Sequence, residues 1–138
     1  MMIEVKRVKT EILEEGWQLN AGTTEEALRD AVVLLGHSLP QDYVQFLREH
    51  NGGEGFVGDN YLIVWKIEEL SPFNREYEVD QYAPGLLLFG SNGGGEGYGF
   101  DTRSADMPIV RVPFIGMNLQ HATPTANSFS DLFMQLAK

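Results

Sequence analysis

A chain of 138 residues is long enough for one domain with one core and too short for two ordinary ones. With 43% hydrophobic and 22% charged residues the composition is globular, which excludes disordered and fibrous classes. A formal net charge of −10 disfavours nonspecific binding to nucleic acid and to anionic membranes, and the absence of cysteine removes disulfides, thiolate metal sites and cysteine nucleophiles.

Along the chain, Val5, Val8 and Ile12 give a loose helical spacing, although Ile3 and Val5 alternate as a strand would. This opening has charges every second or third residue and lacks the apolar core of a signal peptide; no apolar run approaches the roughly 20 residues of a membrane span, so a cytoplasmic location is expected. Asn20-Ala21-Gly22 is a break. Thr23 with Glu26 has capping-box spacing, and Leu28, Ala31, Val32 and Leu35 then repeat at helical intervals up to Gly36. A second helix is expected from Pro40, which suits a first turn, with Tyr43, Phe46, Leu47 and His50 as its buried stripe and Asn51-Gly52-Gly53 as its stop.

From there the period changes. Tyr61–Trp65 and Leu86–Phe89 are apolar runs bounded by turn residues and predict buried strands, with a short helix or turn near residues 68–72 between them. Residues 98–101 and 109–114 are further strand candidates, Pro113 confining the latter to an edge or a strand end. Ser128 with Asp131 predicts the cap of a last helix carrying Phe129, Leu132, Phe133 and Leu136 on one face. Helices, then strands, then a closing helix indicate an α+β fold with a mainly antiparallel sheet, in a single domain over 1–138.

The chemistry-bearing patterns are sparse. Residues 53–58 match the letters G-x-G-x-x-G, but a dinucleotide site needs a strand before them and a helix after, and here the order is reversed. Residues 91–99 are glycine-rich without the lysine and hydroxyl of a phosphate loop, which favours a tight hairpin. His37, His50 and His121 have no metal-motif spacing, and no serine sits in a nucleophile elbow. Asp59, Asp80, Glu96 and Asp101 could gather as a cation site, yet their spacing fits no known calcium loop and a solvated face is favoured. No catalytic residue, metal or cofactor is therefore expected. Residues 40–100 hold three bases against ten acids, and eleven of the fifteen aromatics. Acid and aromatic groups concentrated in one stretch suit a protein interface.

The runs Asn20 to Leu28, Leu39-Pro40-Gln41-Asp42-Tyr43-Val44-Gln45-Phe46-Leu47 and Asn51-Gly52-Gly53 resemble the start of the SMI1/KNR4 family, also called the SUKH superfamily. Leu88 to Gly95 and Tyr98-Gly99-Phe100-Asp101 are similar to its strand-loop-strand, so the resemblance spans about residues 20–138. It implies a strongly curved, mainly antiparallel sheet with helices packed around it, and no catalysis. Many bacterial members resemble immunity proteins that bind and neutralise a polymorphic toxin, often a nuclease; fungal relatives regulate cell-wall synthesis. Carried onto this chain, Leu39, Pro40, Tyr43, Phe46, Leu47, Asn51, Gly52, Gly53, Gly90 and Asp101 are structural positions of the motif. With the acidic charge, the resemblance implies a basic protein partner met by electrostatic steering. Glu54, Asp59, Glu76, Glu78, Asp80 and Glu96 are the expected acidic contacts, and Tyr61, Tyr77 and Tyr82 the aromatic anchors.

Overall fold

The fold is that of a computed structural model, in which residues 16–138 are described. The helical spacing at Val5, Val8 and Ile12 lies outside the described residues. Seven strands, β1 (Gln18–Leu19), β2 (Gly53–Val57), β3 (Asn60–Val64), β4 (Leu86–Ser91), β5 (Glu96–Asp101), β6 (Ile109–Pro113) and β7 (Thr123–Ala126), form one antiparallel sheet in sequence order. Helices α1 (Glu25–Leu35) and α2 (Gln41–Glu49) fall between β1 and β2, α3 (Ile67–Glu76) and α4 (Val79–Tyr82) between β3 and β4, and α5 (Phe129–Leu136) follows β7. This is the expected α+β class.

Register and side-chain alternation divide the sheet into two faces. On the inner face lie Val57, Leu62, Val64, Leu87, Phe89, Phe100 and Ile109, all buried. Helices α2 and α5 cover them. Tyr43 of α2 packs edge-on against Phe100 and Phe129, with centroids 5.1 and 5.0 Å away, and Phe46 meets Phe129 and Phe133. On the outer face, α3 and the segment after β6 cover Leu88, Val110 and Val112, while the β2–β3 end stays open.

Several local expectations need correction. Thr24, not Thr23, is the cap of α1: its hydroxyl accepts the Ala27 N–H at 3.1 Å. Pro40 stands at the N-cap of α2, one position ahead of the first helical residue. The glycine pattern at 53–58 is strand β2 followed by Gly58 in the turn to β3. Its glycines allow close approach, since a Cβ at Gly53 would lie 2.5 Å from the Gln18 carbonyl oxygen and one at Gly55 would enter the Trp17 ring. The short helix or turn expected near residues 68–72 is a helix, longer than expected: the ten-residue α3, with Pro72 inside it. Strands β1 and β7 carry no period long enough to have been predicted.

Candidate protein-binding surface

The family-type motif residues build the frame on which any surface rests. Asp42 accepts the Ser130 N–H and hydroxyl through Oδ2, both at 2.9 Å, so it caps α5 from the first turn of α2. Tyr43, Phe46 and Leu47 then fill the core, with Leu39 and Pro40 half-buried ahead of them. Asn51 ties three elements together. Its Oδ1 accepts the Ile67 N–H at the start of α3, its Nδ2 donates to the Glu68 carboxylate, and its backbone N–H meets the Ala21 carbonyl. Gly52 has φ 83°, and a Cβ there would lie 2.5 Å from the Val64 carbonyl oxygen; at Gly90 a Cβ would strike the Ile63 carbonyl.

Asp101 closes the turn after β5. Its carboxylate takes both Nε and Nη2 of Arg103 at 2.9 Å, and this hydrogen bonding, together with the guanidinium charge, holds its carboxyl below the usual range. Asn74, which sequence inspection missed, performs a strand's work. Strand β3 leaves β4 after Val64, and there the Asn74 amide donates to the Leu88 carbonyl and accepts the Leu88 N–H, both at 2.9 Å.

The expected contact residues fall into three places. Glu54 and Tyr61 share the outer face of the β2–β3 hairpin, where the Tyr61 hydroxyl donates to Glu54 Oε2 at 2.7 Å. That hydrogen bond, with burial and the carboxylate charge adding to it, raises the Tyr61 phenol above its ordinary value. Asp59 is exposed in the turn at the hairpin's tip. Glu76, Tyr77, Glu78, Asp80 and Tyr82 form the second group, at the α3–α4 junction. Here Tyr77 stacks on Phe114 at 4.4 Å and lies parallel to Trp65 at 6.3 Å, so its ring belongs to a packed ladder with one side open. Glu78 and Asp80 line a cleft of about 450 Å³ with Arg75 and His37, and Tyr82 is exposed nearby on α4.

Glu96 stands apart. Its position in β5 next to Gly97 puts it on the inner face, where Arg111 Nε is 3.1 Å from Oε2 and Asn92 donates to Oε1. Tyr77 joins the outer side through its ring contacts with Trp65 and Phe114, whereas Glu78 and Asp80 line the cleft shared with Leu34, Leu35 and His37.

Phe56 was not among the expected residues. It is 51% exposed, opposes Tyr61 in the register, and meets its ring edge-to-face at 5.0 Å. Its signal was hidden by the glycines around it, Gly53, Gly55 and Gly58, which leave no strand period to read. Among the described residues no group of three or more His, Asp or Glu side chains is placed to hold a metal ion, and no helix is long and apolar enough to cross a membrane.

A family model described as the SMI1 / KNR4 family (SUKH-1) matches residues 22–135. The chain belongs to the SMI1/KNR4 family. No curated protein matches it. The SMI1/KNR4 match opens at Gly22, whose missing side chain lets the chain cross the Arg48 carbonyl at the end of α2. It then takes in every element from α1 to β7 and most of α5. Strand β1 and Trp17, which lies over Gly55, stand before the matched SMI1/KNR4 span.

Proposed function

We propose that this chain is a non-catalytic, cytoplasmic immunity protein of bacterial type that binds and neutralises a cognate basic toxin, a nuclease being the class that best suits its charge. The observation that carries this reading is the open outer face of β2 and β3, where Glu54, Phe56 and Tyr61 are presented on a rigid hairpin within an acidic chain. A large excess of acids speeds encounter with a basic partner and rejects acidic ones, while a few aromatic and charged anchors set the affinity. Family membership supports a protein-binding role, and Asp59, Glu76, Tyr77, Glu78, Asp80 and Tyr82 extend the proposed outer contact region from the hairpin to α4. Glu96, engaged with Arg111 and Asn92, is proposed only as a contact at its rim.

The test is a pull-down with tagged protein from the native organism's lysate at low and at high salt, followed by an activity assay of the captured polypeptide. A basic toxin that elutes with salt and loses its activity on adding the chain back is the expected result. Capture of a kinase or a wall enzyme, or of nothing at either salt, overturns the toxin reading and favours a regulatory module.

A further inference from the structure

Three side chains on the open end of the sheet combine into one recognisable chemistry. Phe56 and Tyr61 are cross-strand partners whose ring planes meet at 80°, giving two perpendicular aromatic walls. Glu54 lies on the same face, and its Oε2 is occupied by the Tyr61 hydroxyl. That bond fixes the carboxylate while leaving Oε1 without a hydrogen-bond partner among the described residues. Behind Phe56 the Trp17 indole N–H donates to its backbone carbonyl at 2.7 Å, which steadies the strand. Beside Tyr61, Gly93 has no side chain, so the flank of the ring stays open: a Cβ there would stand only 3.3 Å from it.

Such a cluster is out of place as core. Among the described residues Phe56 touches no aromatic ring but that of Tyr61, and no lysine or arginine pairs with Glu54. A π-face beside a fixed carboxylate attracts a cation that is itself flat and weakly hydrated, and guanidinium fits this better than ammonium. We propose that Glu54, Phe56 and Tyr61 form the anchor for an arginine side chain of the protein partner, its guanidinium lying against Phe56 and donating to Glu54 Oε1. This rests on the protein-binding reading above and adds the chemical group that is recognised.

The test uses N-acetyl-arginine methylamide as the probe and the neutral citrulline analogue as its control, at matched ionic strength, followed by ¹H–¹⁵N spectra of the intact chain. Saturable shifts at residues 54–56, 61–63 and 93 are expected with arginine and absent with citrulline. Phe56→Leu and Glu54→Gln should each weaken binding about two- to fivefold, and their own spectra report whether they remain folded. Equal responses to the two probes, no saturation, or shifts spread over Glu76, Asp80 and Asp106 instead of the hairpin would overturn the anchor. If arginine binds here but no toxin is captured from lysate, the anchor stands and the toxin reading fails. If a toxin is captured and the two variants hold it undiminished, the anchor fails and the reading stands.

Discussion

At the scale of single residues, the side chains that matter most are those that meet backbone. Asn74 satisfies both polar groups of Leu88 where strand pairing stops, so Asn74→Ala leaves a donor and an acceptor unpaired in a half-buried site and should cost about 1–3 kcal/mol. Urea denaturation at unchanged m-value is the measurement. Tyr43 gives the opposite sign. Its ring is fully buried among Phe89, Phe100 and Phe129, while its hydroxyl has no hydrogen-bond partner among the described residues, and burial drives its ionisation far upward. Removing an unsatisfied buried hydroxyl while keeping the ring should leave stability unchanged or raise it by up to about 1 kcal/mol in Tyr43→Phe, checked by thermal melting. Asp101 adds a pH dependence. Its folded carboxyl is depressed by Arg103, so its stabilising effect is complete above the unfolded value near 4 and is lost as pH falls through the lower folded one. Between pH 5 and pH 2, Asp101→Asn should flatten the acid limb of the stability curve relative to the parent chain.

At the scale of elements, the two helices that cover the inner face are joined by a contact 88 residues apart in sequence. Asp42 lies in the first turn of α2 and caps α5, so Asp42→Ala should destabilise by about 1–2 kcal/mol through loss of a cap, although it leaves the α2 stripe intact. Asp42→Asn should recover part of that loss, because the amide oxygen can still accept. These elements differ in how legible they were. The stripes of α2 and α5 and the runs at β3 and β4 are periodic, and their burial follows from the period. Strand β2 was illegible because two of its five positions, Gly53 and Gly55, are glycine, suited to contact with Gln18, Leu19 and Trp17 rather than to strand propensity. Strands β1 and β7 are two and four residues long and exist by pairing, which a local pattern does not encode. The same limit applied to the surface: Glu54 and Tyr61 were identifiable by type, whereas the opposition of Phe56 to Tyr61 appeared only with the register.

At the scale of the molecule, charge and topology set how the chain meets others. The last edge strand, β7, carries Pro124, which has no N–H to offer, so that edge is a poor template for another strand. The docking by outer-face side chains proposed above does not call on that edge, and with a net charge of −10 the association of the chain with a basic partner should slow steeply as salt rises. Stopped-flow association between low and physiological ionic strength measures this, and Glu54→Lys with Asp59→Lys should reduce both the rate and its salt slope. The seam between β3 and β4 has a further consequence. Only Ile63 with Ser91 and Val64 with Gly90 form register pairs there, followed by the single Trp65 N–H to the Phe89 carbonyl, whereas β4 and β5 share five pairs. The strands bearing the aromatic-acid cluster are thus joined to the other half of the sheet by few rungs. Amide hydrogens along this seam should exchange with deuterium ahead of those between β4 and β5. A ligand that spans from Tyr61 to the glycine loop beyond Ser91 would clasp the seam shut, and slowed exchange there would report occupancy without any label on the ligand.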